Sequence, residues 1–573
     1  MVAAVAFSGA SATPPRTRFI SRWNRLRGER ESWFSHWQDI LRHLIPRRLV
    51  LDHESKEDQG RKKHSAIVNA TGTFALRTLA SGMQSGITSP SRPWFKLIVT
   101  DPALSESANV RSYLDAIEDA MRTRLLSSNI YNCLHNIYTD LGAIGTAALY
   151  IEEDEEDGVR GYVLPAGSYC LVGSSRRRVD GCYRITGFTV QQVVEKFGTD
   201  NLSAQLLERY KNGDLDGWVK VLHVVERNEK WDGMSLLAEN KRYRSVWMEL
   251  EAPSDFAKNL RVSGFDEFPI MAPRWNVSGD AVYGDSPGMD ALGDIRALQQ
   301  LERDKARAFV KIVDPPMVAP TSLATRNASL LPGAVNRIDV AAGGQTFRPA
   351  MEINPSAMGE FRQAIAEHEH RISRTLYADT WLTVTTAERT NMTATEVAQR
   401  TEEKMQQLGP VLERLQDELL DPMVDRIFNI GVAAGWFPEP PEELSGKPLR
   451  IEYISIMAQA QKAMHLTGIE RLAGFAGSLL ASDPEDPTVR HKLDKGKALE
   501  AYRDALGTRS DLLRSEAEVE AIIDQAAQAQ QASQQGADIS SMVQGAKVLS
   551  ETDMGGDSAL NRVLGNMGVQ GQA

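Results

Sequence analysis

Apolar residues return at helical spacing from about Phe19 to Leu44, where Trp23, Leu26, Trp33, Trp37, Ile40, Leu41 and Leu44 fall on one side and arginines on the others. That is the pattern of an amphipathic helix with its aromatic side against a core and its arginines in solvent. The spacing predicts a second helix over 66–83 through Val68, Phe74, Leu76, Leu79 and Met83. It runs into the stretch TLASGMQSGITSPSRPWFKL at 78–97, where Gly82 and Gly86 permit close backbone packing before the prolines end the helix and WFKLIV continues as a strand. Helical periodicity recurs over 109–126 and 130–150. The runs GYVLP, SYCLV and CYRITGFTV, then 219–227 and 244–250, alternate between glycine-bearing and charged turns and predict an antiparallel sheet.

From Ser286 the pattern changes. Ser286-Pro287 is a helix start, with a capping hydroxyl and a proline in the first turn, and Asp314-Pro315-Pro316 is a stop. Between them Met289, Leu292, Ile295, Leu298 and Leu301 form an apolar stripe, while Arg303, Lys305, Arg307 and Lys311 take a polar face. Residues 315–355 are rich in proline and glycine, with strand-like runs at 337–340 and 345–347. A helix returns over 357–377, followed by a loop, ADTWLTVTTAERTNM, at 378–392. Thr393 to Glu396 is a capping box opening a long helix to about Val432 with near-heptad apolar spacing, which Pro410 and Pro422 should bend. A second capping box, Ser515 to Glu518, leads into AAQAQQASQQGA and a glycine-rich end. The fold class expected is α+β, mainly helical.

Composition narrows the chemistry. The chain has 573 residues, 42% hydrophobic and 25% charged, ordinary for a globular protein of several domains. Its net charge of −11 argues against a surface built throughout to grip nucleic acid, although 16–63 is locally basic. A Gly-rich turn can cradle phosphate, but a nucleotide loop needs Gly-Lys followed by Ser or Thr; Gly446-Lys447 meets Pro448 and Gly496-Lys497 meets Ala498. No apolar run approaches the ~20 residues that span a bilayer. Cys133, Cys170 and Cys182 lack metal or disulfide spacing and fit a reducing compartment. The acidic run EEDEEDG at 152–158 does not place carboxylates at calcium-loop positions and reads as a solvated hairpin. His368 and His370 lie two apart, so on a helix they point in different directions; they read as a solvated face rather than metal ligands. No catalytic, cofactor-binding or metal residue is nominated.

Two blocks, RTLASGMQSGITSPSRPWFKL at 77–97 and NMTATEVAQRTEEKMQQLGPVLERLQDELLDPMVDRIF at 391–428, resemble the head-to-tail connecting, or portal, proteins of short-tailed bacteriophages (the podovirus type). The order helix, small irregular element, helix, loop, long bent helix is similar too, and the resemblance extends from about Arg22 to Gln535. It implies a homo-oligomeric ring, typically a dodecamer, at a capsid vertex of the virion, assembled in the host cytoplasm. Double-stranded DNA would pass through it in packaging and ejection, and its partners would be a terminase packaging motor, a tail adaptor protein, and major capsid and scaffolding proteins, with no membrane, cofactor or enzymatic activity. On the family's plan 1–93 are N-terminal helices of a wing, 94–285 its α/β part, 286–314 and 356–377 the stem helices, 315–355 the clip and 378–392 the channel loop. The long bent helix and wing return take 393–454, a helical crown 455–535 and a C-terminal tail 536–573.

The same plan implies site residues. The channel loop offers Asp379, Thr380, Trp381, Thr383, Thr385, Glu388 and Arg389 to DNA, hydroxyl-rich and nearly neutral, so that phosphate is touched without being held. Trp381 reads as a core anchor in preference to a DNA-facing ring, because exposed tryptophan is uncommon. The clip offers Pro316, Met317, Arg326, Arg337 and Arg348 to partners, and the stem its polar face of Arg303, Lys305, Arg307 and Lys311. The competing reading is an intracellular helical scaffold that uses heptad-like helices for coiled-coil assembly without DNA.

Overall fold

The computed structural model describes residues 16–48, 64–99, 107–233, 237–253, 255–318, 348–349, 357–381, 408–444 and 449–453, with residues 101 and 104 and short helical pieces between 471 and 529. The chain forms two compact units. One comprises Met1–Ile98, Ala116–Glu439 and Pro448–Gln461; the other comprises Val99–Asp115, Pro440–Lys447 and Lys462–Ala573. Apart from Val99, which ends a strand, the described residues of the second unit are helical or irregular, and in it the Ser107 hydroxyl donates to the Glu443 carboxylate at 3.1 Å.

The first unit is α+β. Helix α1 (Arg16–Leu44) buries Phe19, Trp23, Leu26, Trp37, Ile40, Leu41 and Leu44, as its periodicity requires, and leaves Trp33 half-buried against Tyr283. Two of its arginines are not in solvent. Arg16 and Arg30 are 5% and 2% exposed. Arg16 donates to the carbonyls of Pro253 and Phe256, and Arg30 to that of Tyr169. A guanidinium fork can satisfy several backbone carbonyls at once, which makes burial beside a sheet tolerable. Beyond the helix, Arg48 closes an ion pair on buried Asp140.

Helix α2 (Thr71–Ile87) starts later than its periodicity predicts, because the Asn69 side chain accepts the Thr71 N–H at 2.9 Å and fixes the first turn, and it runs on past the expected end to Ile87. Leu76, Leu79 and Met83 are buried, but Val68 and Phe74 are 53% and 65% exposed rather than part of the stripe. Strand β1 (Phe95–Val99) follows, then α3 (Ala108–Ser127) and α4 (Ile130–Ile144). The expected helix to residue 150 stops at Gly145, whose φ of 73° is the left-handed cap. A Cβ at Gly145 would lie 2.4 Å from the Gly284 carbonyl, so close backbone approach also demands glycine there.

The chain then builds two antiparallel sheets. Strands β2 (Leu149–Asp154), β3 (Gly158–Val163) and β9 (Ile270–Met271) pair in the order β3-β2-β9, and the acidic run forms the tip of the β2–β3 hairpin as expected. Strands β4 (Tyr169–Gly173), β5 (Val179–Thr189), β6 (Trp218–Arg227), β7 (Tyr243–Glu249) and β8 (Arg261–Phe265) form a five-stranded meander. Alternation divides its faces. Tyr183, Leu222, Val224, Val246 and Met248 meet Phe19, Trp23 and Leu26 of α1. Val219, Val221 and Trp247 meet two short helices, α5 (Val190–Phe197) and α6 (Ala204–Lys211), on the other face. Neither short helix was expected, yet Thr189 and Gln192 form a capping box that the sequence carries openly.

Inside this sheet Arg184 Nε–H donates to His223 Nδ1 at 2.9 Å, leaving Nε2–H to donate to the Ser245 hydroxyl. Burial first, and the Arg184 charge second, hold the imidazole well below its usual range, so it is neutral at pH 7 and stacks 3.7 Å from the Trp247 ring. All three cysteines are free and buried. Burial pushes the Cys133 and Cys170 thiols up to about 11 and Cys182 up to about 12, far from the thiolate form that reacts.

Candidate functional site

Helix α7 (Pro287–Val313) begins where expected. The Ser286 hydroxyl accepts the Met289 N–H at 3.1 Å and donates to the Ala143 carbonyl at 2.8 Å, so the cap also seats the helix on the end of α4. Its first half buries Ala291, Leu292, Ile295 and Leu298; its last turns expose Phe309, Val310 and Val313 at 57%, 62% and 68%. Helix α8 (Ala357–Thr375) packs along it. Polar groups tie the pair together and to the start of α2. Gln299 accepts the Val68 and Asn69 N–H groups at 2.6 and 2.9 Å, and the Asn69 amide donates to Glu302 and Glu369 at 3.2 and 2.9 Å.

The expectation that both histidines of α8 face solvent fails for one of them. His370 is exposed, but His368 Nδ1–H donates to Asp294 of α7 at 2.9 Å, with Arg371 3.8 Å from the same carboxylate. A carboxylate two turns from the helix start gives the ring a partner that periodicity alone does not show. Among the described residues no group of three His, Cys, Asp or Glu is arranged to hold a metal ion, and no helix is long and apolar enough to cross a membrane.

The polar face assigned to this helix is largely engaged. Arg303 donates to the Ala66 carbonyl at 3.0 Å, Lys305 pairs with Glu302 at 2.5 Å and Arg307 with Asp304 at 3.4 Å; Lys311 is exposed. After it, strands β10 (Met317–Val318) and β11 (Arg348–Pro349) pair antiparallel, Met317 opposite Pro349 and Val318 opposite Arg348, so the segment between them leaves and returns at one place. Pro316 is exposed and Met317 half-buried; Arg326, Arg337 and the expected strands at 337–340 and 345–347 lie outside the described residues.

The expected loop at 378–392 does not begin as a loop. Tyr377, at φ 56°, breaks α8, and residues 378–381 make a further helical turn in which the Thr380 N–H reaches the Tyr377 carbonyl at 3.2 Å. Trp381 is 5% exposed and its ring lies over Gly82, where a Cβ would come within 2.2 Å of it. It is therefore a core anchor rather than a ring offered to solvent, and this is what the glycine of TLASG serves: α2 joins the helix pair and the root of the loop, not only the sheet. Asp379 is half-exposed, 3.9 Å from His370. Thr383, Thr385, Glu388 and Arg389, and the capping box at Thr393, lie outside the described residues. A cavity of about 560 Å³ sits at this root, lined by Trp275, Pro287, Asp290, Tyr377, Asp379 and Arg414.

The long helix is described from α9 (Gly409–Leu415), which Pro410 opens. It widens into a π turn at Gln416–Leu420 and resumes as α10 (Asp421–Ala433). Pro422 cannot donate to the carbonyl four residues back, and the extra residue of the π turn absorbs that loss while the Asp421 N–H reaches the Gln416 carbonyl. The turn aims Glu418 at Arg274, which is 6% exposed and answers with Nε–H at 3.1 Å, its own backbone N–H at 2.9 Å and a second guanidinium nitrogen at 2.5 Å. Sequence reasoning missed this pair; one partner precedes the other by well over a hundred residues and neither stands in a motif.

The family model described as bacteriophage head to tail connecting protein matches residues 16–513. The chain belongs to that family. It is 40% identical over 564 residues to the "Portal protein" of Salmonella phage epsilon15, covering 98% of this chain and 100% of that one. It is 38% identical over 550 residues to the "Probable portal protein" of Bordetella phage BPP-1, covering 96% and 98%. The "Virion of native gene transfer agent (GTA) particle" aligns over 75% of this chain and 89% of its own at 12% identity and a TM-score of 0.31, a likeness too low to add to the family match. These features are thus those of a head to tail connecting protein: a helix pair seated on a glycine-bearing α2, a small β ladder beyond it, and a root anchored by Trp381.

Proposed function

We propose that the chain is the subunit of a phage portal, a closed ring at a capsid vertex through which double-stranded DNA enters and leaves the head. The observation that carries this is the 40% identity to a protein named "Portal protein" over essentially the full length of both chains. Helices α7 and α8 serve as the stem, 315–355 as the clip that meets the packaging motor and tail proteins, and the segment after Trp381 as the channel loop. The ring has twelve subunits on the family's plan, the motor's ATP chemistry belongs to another protein, and the chain itself turns over no substrate. Two features support the reading. The end of α7 carries Phe309, Val310 and Val313 uncovered, which suits burial between ring neighbours, and the acidic chain suits a bore that must release a polyanion.

Negative-stain imaging of the purified protein tests it. A closed ring with an axial hole wide enough for duplex DNA is expected; filaments or monomers at every concentration would sink the reading.

A further inference from the structure

A second cavity, of about 720 Å³, opens where the β4–β5 turn, the β6–β7 ends and the start of α10 meet. Its rim is basic. The turn is tight, Ser174 N–H reaching the Arg178 carbonyl at 2.8 Å with Arg177 at φ 59°, and this sets three successive arginines outward. Arg177 pairs with Asp280 at 2.8 Å. Arg176, Arg178, Arg227 and Arg242 are exposed and make no salt bridge among the described residues. Asp180, Glu413 and Asp417 share the lining, so a duplex phosphate backbone would meet carboxylates as well as guanidinium groups. A compact acidic tip brings fewer negative charges near those carboxylates than a continuous duplex backbone and can engage the exposed rim arginines.

The same chain carries such a ligand. At the β2–β3 tip Glu153, Glu155 and Glu156 are exposed and without a salt bridge among the described residues, whereas Glu152 and Asp154 are held by Lys196 and Arg160. The tip cannot reach the cavity of its own subunit. Gly158 at the tip packs on Trp436 just past one end of α10, while Pro422 at the other end lines the cavity. The thirteen residues of that helix hold the two about 20 Å apart.

We propose that the arginine-rimmed cavity receives the acidic β2–β3 hairpin of a second copy of this chain, as a head-to-tail contact between neighbours. The inference rests on the proposed ring. Two unlike surfaces on one subunit, complementary in charge and separated in space, are what a heterologous closed ring requires. Arginine suits the role because its fork matches a carboxylate with two donors.

Two full-length variants test it by native mass spectrometry at low salt, with circular dichroism confirming the fold. One carries Arg176→Glu, Arg178→Glu and Arg242→Glu; the other carries Glu153→Lys, Glu155→Lys and Glu156→Lys. Each alone is expected to lose rings. Mixed in equal amounts they should recover them, because alternating subunits place glutamates against lysines at one contact and the native pair at the next. Rings from each variant alone as from wild type overturn the contact and leave the portal reading standing. So does loss in both with no recovery on mixing. Intact rings of the arginine variant that no longer bind a short DNA duplex would assign the cavity to phosphate, again overturning the contact. A wild-type protein that forms no ring fells the portal reading, and the contact with it.

Discussion

Gly82 and Trp381 stand 299 positions apart and each explains the other. The tryptophan is buried because the helix beneath it has no side chain there, and the glycine is present because a Cβ would enter the ring at 2.2 Å. Gly82→Ala should destabilise the protein by about 1–3 kcal/mol through overpacking. It should also raise the exposure of Trp381, read as a red shift in its fluorescence. An unchanged melting temperature and spectrum would show that the ring does not rest on Gly82. The consequence for the loop is direct: four of its expected residues, 378–381, belong to an anchored turn, so the DNA contact we propose for it falls to the positions beyond Trp381.

At the scale of elements the bent helix shows how a local defect acquires a use. Pro422 removes one helical hydrogen bond, the π turn before it supplies the slack, and the displaced backbone turns Glu418 toward Arg274. Removing one partner of a buried pair leaves an uncompensated charge, whereas removing both need not. Glu418→Ala should therefore cost about 3–5 kcal/mol in chemical denaturation. The double variant Arg274→Met, Glu418→Met should regain most of it. If the single variant is as stable as the double, the pair does not fasten the long helix to the segment after β9 that carries Arg274.

At the scale of the whole molecule, a monomer that ends a 27-residue helix in uncovered Phe309, Val310 and Val313 is an incomplete object. Phe309→Glu with Val313→Glu should leave the fold and melting behaviour of the subunit nearly unchanged, since both side chains are already exposed. In analytical ultracentrifugation the same variant should sediment as a monomer where wild type sediments as a ring. Rings formed at the wild-type concentration would mean that these turns lie outside the assembly contact.

Much of the architecture was legible because its causes are local. The stripe on α1, the Ser286-Pro287 start and the proline stop of α7, the alternation of β4 to β7 and the acidic hairpin all arise from side-chain period and capping chemistry within a few residues. The family was legible for a related reason: two short blocks carry the glycines and heptads that its packing demands. What the sequence could not decide was every feature whose partner is distant. Arg16 and Arg30 look like solvent residues until carbonyls of the segment after β7 and of Tyr169 in β4 arrive to claim them, and His368 looks solvated until Asp294 faces it across the helix pair. Helical period assigns a side chain to a face, but only tertiary packing sets another surface opposite it, and that surface determines whether a charge is buried, paired or left for a partner.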